Sequence, residues 1–213
     1  MFSMPADIKK TNSMPVTVYT VGHSIHSMER LIEILKSNKI SEIIDVRSQP
    51  YSKFQPQFNR RDIEGPLRAA GISYLFLGND LGARSNDTSC YVNGRAQYQR
   101  IAATKGFGLA IDRVLSESAD NRVALMCAEK EPLECHRTLL VGQALFSQGI
   151  KVAHIHSDGR QENHSDALIR LPGMVGLSSD DMYRSREETL SEALRIQEER
   201  VAYVDAKLEG GSK

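Results

Sequence analysis

The sequence predicts an α/β fold: three layers, with a mainly parallel central sheet of about five strands, helices on both faces, and an additional C-terminal helix. Three observations predict it. Short β-branched apolar runs alternate with amphipathic stretches along most of the chain, the mark of a parallel sheet crossed by helices. The runs are nearly continuous in hydrophobicity, as strands covered on both faces are. Gly71 and Gly149 stand where two of the helices should stop.

The elements follow in order. Residues 15–21, Pro-Val-Thr-Val-Tyr-Thr-Val, read as the first strand. Ser27 is a candidate cap for a helix to about residue 37, with Met28, Leu31, Ile32 and Leu35 on one face. Residues 40–46 are the second strand, and Asn59 is a candidate cap for a helix over 59–70. Residues 72–77 are the third strand, and 106–119 carry Leu109, Val114 and Leu115 at helical spacing. The fourth strand is 122–127, a helix follows over 139–147, and the fifth strand is 151–156. Beyond it, residues 157–181 look loop-rich, and Ser185-Arg-Glu-Glu188 is a capping-box pattern opening a charged helix to about 206. Leu190, Leu194, Val201 and Val204 are its partial apolar positions, for packing on the sheet or on a second copy of the chain as a homodimer. The organisation expected is a flexible leader over 1–15, one α/β domain over 16–170, an extension with the terminal helix over 171–209, and a disordered tail over 210–213.

Composition narrows the function. The chain has 213 residues, 40% hydrophobic and 25% charged, enough to build a core without covalent staples. Lys plus Arg and Asp plus Glu are 27 each, so the net charge of zero argues against a generic charge-driven nucleic-acid or membrane binder. Three cysteines imply no disulfide framework. No apolar run approaches the roughly 20 residues needed to span a bilayer. The expectation is a soluble, cytoplasmic protein with no membrane partner.

Ligands of open α/β sheets bind outside the carboxyl ends of the strands. The residues following those ends are Gly22, His23, Ser24 and His26; Asp45 and Arg47; Gly78, Asn79 and Asp80; Cys127, Glu129 and Lys130; and His156 and Asp158. The richest stretch is Cys127-Ala-Glu-Lys-Glu-Pro-Leu-Glu-Cys135-His136-Arg137. A helix N-terminus there would suit an anion and lower the pKa of a nearby thiol. Arg137 would add a bidentate fork, and His136 would pair with a thiolate or move protons. The plain alternative is a buried structural cysteine beside a decorated helix start. Cys127, Cys135, His136 and His23 could supply metal ligands, but their spacing matches no short-range zinc pattern, and no cofactor is expected. Asp45 and Arg47 share a strand face, either as a structural ion pair or as a general base with an anion anchor. Two long connections, 47–61 and 84–100, mix cations with aromatics. Arg47, Arg60, Tyr51, Phe54 and Phe58 lie in the first, and Arg84, Tyr91, Tyr98 and Arg100 in the second. Such loops suit stacked bases and phosphates, or simply anchor themselves to the core.

Gly22-His23-Ser24, Asp45-Val46-Arg47-Ser48 with Pro50, Gln57-Phe58-Asn59, Met126-Cys127-Ala128-Glu129, Cys135-His136-Arg137, His154-Ile155 and Asp158-Gly159 together resemble the family catalogued as domain of unknown function 488. The likeness covers about residues 18–164, and 197–203 is similar to the tail of some longer members. It implies a compact α/β fold and a shared polar site, and supplies no reaction. A second resemblance is to rhodanese-like domains, through Ile44-Asp45-Val46-Arg47 and a cysteine ending a later strand. By position Cys127 would be that family's nucleophile, yet the loop to Arg137 is longer and lacks the Gly-rich form and the C-x5-R spacing.

The reading that follows is an enzyme, a transferase or hydrolase acting on a small anionic or nucleotide-like substrate. Cys127, Glu129, Cys135, His136, His23 and Asp45 are the candidate catalytic residues, with Cys127 as thiolate nucleophile. Ser24, Arg47, Arg137, Phe58 and Arg60 are the candidate substrate contacts. The alternative is a nucleotide or single-stranded nucleic-acid binding module built on the two basic-aromatic loops.

Overall fold

The computed structural model describes residues 16–178 and 184–208. The expected leader over 1–15 and the tail over 210–213 lie outside the described residues. The main sheet has six strands in the order β3-β2-β6-β1-β7-β8. Five of them, β1 (Thr17–Gly22), β2 (Glu42–Asp45), β3 (Ser73–Phe76), β6 (Val123–Cys127) and β7 (Lys151–Ile155), are the five read from sequence, and they pair with one another in parallel. The sixth, β8 (Gln161–Asn163), adds an antiparallel edge beside β7. Three polar residues carry no strand pattern, so β8 comes from pairing with β7 rather than from propensity.

Strand side chains divide between two cores. Tyr19, Val21, Ile43, Ala124, Met126 and Ile155 face α1 (Met28–Ser37) and α2 (Arg60–Ala69). Val18, Ile44, Val123, Leu125, Cys127 and Val152 face α5 (Lys105–Asp120) and the helix after β6. This alternation across a doubly buried sheet is why the strands read as continuous apolar runs. Ser27 caps α1 as expected, its hydroxyl accepting from Arg30 N–H at 3.2 Å, and Ile34 rather than Ile32 completes the buried face. Asn59 stands at the N-cap position of α2 as expected, but its side chain makes no capping bond: the side-chain oxygen Oδ1 accepts from Ser52 N–H at 2.6 Å and ties the preceding loop instead.

Three regions differ from the sequence reading. The long connection after β3 holds α3 (Gly78–Leu81), a small hairpin of β4 (Tyr91–Val92) and β5 (Arg95–Ala96), and α4 (Tyr98–Ala102). The helix after β6 starts as a π-helical stretch, Arg137–Gly142, before becoming α6 (Gln143–Ser147). The loop-rich expectation for 157–181 is corrected over 161–175, where β8 leads directly into α7 (His164–Val175), a helix that spans position 170; residues 179–181 lie outside the described residues. Pro172 lies inside that helix and masked its signal.

The terminal helix α8 (Arg186–Val201) has the predicted capping box and packs on its own chain, chiefly against α7. Its buried face is Thr189, Ala193 and Gln197, one residue round from the apolar stripe read in the sequence. Gln197 donates to Leu133 C=O at 2.9 Å, and Glu198 accepts from Tyr98 N–H at 2.7 Å. Among the described residues no helix is long and apolar enough to cross a membrane.

Candidate functional site

The sheet order makes β1 and β6 neighbours although they are far apart in sequence, and β2 lies on the far side of β6. The strands run parallel, but the helices that follow β1 and β6 pack on opposite faces of the sheet, so the crevice beyond Gly22, Asp45 and Cys127 is the topological switch point where such folds bind ligands. Two polar groups meet there.

The first is anchored by β2. The Asp45 carboxylate is wholly buried and accepts from Arg47 N–H, Arg47 Nε, Arg47 Nη2 and the Tyr74 hydroxyl at 2.7–3.1 Å. Arg47 donates further to Phe58 C=O at 2.8 Å, and its Nη1 meets His23 Nε2 at 3.0 Å. His23 Nδ1 lies 3.0 Å from Ser24 C=O, which places the ring proton on Nδ1 and leaves Nε2 to accept from Arg47. Burial and the Arg47 charge lower the His23 pKa to about 4. Phe58, wholly buried, stacks on His23 with ring centroids 4.3 Å apart. Arg60 lies over the Phe76 ring at 4.3 Å. Asp45, Arg47, His23 and Phe58 therefore form an interlocked lattice. Its hydrogen-bonding groups are largely taken by one another, whereas the sequence reading gave several of them to substrate.

The second group is carried by β6 and the loop behind it. Glu129 Oε2 lies 2.9 Å from both the Cys127 and Cys135 sulfurs. His136 Nδ1 is 3.6 Å from the Cys127 sulfur and 3.9 Å from that of Cys135, while its Nε2 lies 2.9 Å from Val46 C=O. A carbonyl only accepts, so Nε2 carries a proton, and Nδ1 faces the two sulfurs; burial works to lower the His136 pKa, but the hydrogen bond and charge of Cys135 outweigh it and raise it. Burial and the neighbouring Cys135 push the Cys127 thiol up. Burial also pushes Cys135 up, but the Cys127 hydrogen bond, the Arg137 charge and His136 outweigh it and hold Cys135 low. Burial and the Cys135 charge raise the Glu129 carboxyl.

Arg137 is completely buried and does not present a free fork. Its Nη1 donates to Glu129 C=O at 2.7 Å and its Nη2 to Lys130 C=O at 3.3 Å, which fixes the loop. Gly22 permits this closure, because a Cβ there would overlap the Glu129 carbonyl oxygen. Gly78 does the same under Arg47, where a Cβ would overlap the Arg47 carbonyl.

A cavity of about 370 Å³ opens over the second group, lined by Cys127, Glu129, Cys135 and His136 at its floor. Arg47, Arg84, Tyr98 and Tyr203 contribute to its walls. Arg84 lies over the Tyr203 ring at 4.4 Å and donates to Gln49 at 2.9 Å. Tyr98 is 3% exposed, and its hydroxyl has no hydrogen-bond partner among the described residues. Of the sequence-derived candidates, Cys127, Glu129, Cys135, His136 and Arg47 line this cavity, while His23, Ser24, Asp45, Phe58, Arg60 and Arg137 do not. Tyr203 and Gln49 were not named as site residues, although the segments that hold them, 197–203 and 47–61, had been singled out in the sequence. They reach the wall from a residue just past α8 and from the loop after β2.

Fold and site define an α/β protein with a mainly parallel, doubly covered sheet and a thiol, carboxyl and imidazole cluster at its strand ends. The family model for "Domain of unknown function DUF488" matches residues 27–144, just over half of the chain. The protein belongs to that family. No curated protein and no solved structure matches it, and the likeness to rhodanese-like domains gains no support from these comparisons.

Proposed function

We propose that the protein is an enzyme acting on a small anionic, nucleotide-like substrate held in the cavity over Cys127, Glu129, Cys135 and His136. One observation carries the reading. Four chemically active side chains converge on the floor of a cavity whose wall holds an unpartnered buried hydroxyl, Tyr98, and a cation, Arg84. A buried polar atom without a partner is uncommon, and a bound ligand is one way to satisfy it. In this scheme the sulfur pair supplies the nucleophile. Glu129, whose carboxyl burial holds above the usual range, gives its proton to the leaving group. Arg84 and Tyr98 orient the anionic part of the substrate, and Arg47 and Arg137 shape the pocket through the bonds they already make.

The test is iodoacetamide labelling of the native full-length chain, read residue by residue by mass spectrometry, with and without a panel of nucleoside phosphates and inorganic phosphate. Labelling of Cys127 or Cys135 that an anion suppresses supports the reading. Thiols that stay inert until unfolding, with no anion bound, overturn it.

A second reading, a single-stranded nucleic-acid module, draws on Tyr51 and Phe54, which are 68% and 91% exposed on the loop before α2. Steep loss of oligonucleotide affinity with salt would favour it, since each phosphate contact releases counterions.

A further inference from the structure

We propose that Cys127, Cys135 and His136 form a three-ligand site for one soft divalent cation of the zinc class, with the fourth position beside Glu129 and toward the cavity. The two sulfurs and Nδ1 all lie within 4.8 Å of one another, and all three residues are buried. Zinc–sulfur bonds of about 2.3 Å and zinc–nitrogen bonds of about 2.0–2.1 Å, set tetrahedrally, give sulfur–nitrogen edges of roughly 3.5 Å. The observed edges are 3.6 and 3.9 Å, so a cation fits among the donors with shifts of a few tenths of an ångström.

A second observation points the same way. His136 donates its remote ring N–H to Val46 C=O at 2.9 Å. A backbone carbonyl behind the ring is the usual outer partner of a metal-binding histidine, because it fixes both tautomer and ring orientation. Two sulfurs and an imidazole select zinc, cobalt or cadmium over magnesium or calcium. Three protein donors leave one vertex unfilled, which is the pattern of catalytic rather than closed structural zinc sites. The cavity lined by all three donors gives that vertex access to a ligand, and Glu129, 2.9 Å from each sulfur, adjoins it. His23, the remaining residue of the ligand set considered from sequence, is excluded because both its nitrogens are engaged, one near Ser24 C=O and the other by Arg47.

The site uses the side chains of the reactive centre proposed above but does not rest on that centre being catalytic. With a cation bound both sulfurs are ligands, so nucleophilic thiol chemistry belongs to the cation-free chain alone. The experiment is anaerobic titration of Co²⁺ into the chelator-treated full-length protein, kept reduced by a phosphine, followed by Zn²⁺ back-titration. The expected result is one equivalent of Co²⁺ with the ligand-field bands of a tetrahedral ion and a thiolate-to-cobalt charge-transfer band, all abolished by Zn²⁺. Cys127→Ser and Cys135→Ser each weaken the charge-transfer band. They and His136→Ala lower affinity by at least about 100-fold, the upper end of what an outer-shell change costs. Cys90→Ser, at the buried cysteine outside the cluster, leaves the spectrum unchanged. Absence of a stoichiometric complex in the wild-type chain, or a spectrum without the charge-transfer band, overturns the proposal. Anion-protected labelling without cation binding removes this inference and leaves the proposed reaction standing. Tight binding with thiols that never label does the reverse.

Discussion

Two polar groups sit side by side at the strand ends, and they are built on opposite principles. Around Asp45, four donors fill one carboxylate, and its arginine partner is further held by Phe58 C=O and His23. Around Cys127, two thiols, a carboxyl and an imidazole crowd one another, and a cavity opens above them. A saturated buried network holds shape, since every lost partner leaves a costly orphan. An unsaturated one has capacity left for a ligand. Residue type alone does not separate the two, because both contain a histidine and a carboxylate.

The largest effect should come from breaking the saturated side. Arg47→Ala leaves Asp45 buried with two of its hydrogen-bond donors, Nε and Nη2, removed and no countercharge in the lattice. The expected loss is about 3–5 kcal/mol, the cost of halving a buried ion pair. Urea unfolding of variant and parent measures it. A loss under about 1 kcal/mol would break the comparison and return Arg47 to the substrate side.

How far the sequence reached can be judged from these same residues. The five parallel strands were legible because each is a short apolar run between polar punctuation. Cys127, Glu129, Cys135 and His136 were legible because they follow a strand end within ten positions. The strand order was not, since it depends on which crossovers pack, and it is the order that brings Gly22 beside Cys127. Nor was the saturation of Asp45, for which Tyr74 and Phe58 had to be placed first. The helix α7 was hidden by Pro172, and β8 by its polar sequence.

A third buried group, on the opposite side of β1 from β6, tests the principle by pH. Thr20 Oγ1 meets His154 Nδ1 at 2.8 Å, His154 Nε2 meets His164 Nδ1 at 3.0 Å, and His164 Nε2 meets Gln143 at 3.0 Å. Each contact can be satisfied by neutral rings donating in one direction. Burial lowers the His164 pKa from 6.5 to about 4, and burial with the His164 charge takes His154 well below 6.5. Both depressed values mean that the unfolded chain binds protons first on acidification. Stability is therefore full above about pH 6.5 and falls as pH drops from there through 4, by on the order of 3 kcal/mol for His164 alone. Urea midpoints at pH 7, 5.5 and 4.5 should decline, and His164→Gln should flatten the trend. A decline that the variant leaves unchanged would assign the acid sensitivity elsewhere.

The smallest stability change sharpens the contrast most, because it sets one arginine against another. Arg84 is exposed, rests on Tyr203, and borders the open group, while Arg47 is 6% exposed and spent on internal partners. Arg84→Ala should alter stability by no more than about 0.5 kcal/mol, as an exposed substitution does. It should nevertheless weaken inorganic phosphate or nucleoside-phosphate binding by about tenfold, the roughly 1.4 kcal/mol of one charge-assisted contact. Calorimetric titration alongside urea unfolding separates the two quantities. If Arg84→Ala lowers stability as much as Arg47→Ala does, or leaves anion affinity untouched, the open group is not an anion site. The distinction between filled and unfilled networks would then lose its functional half.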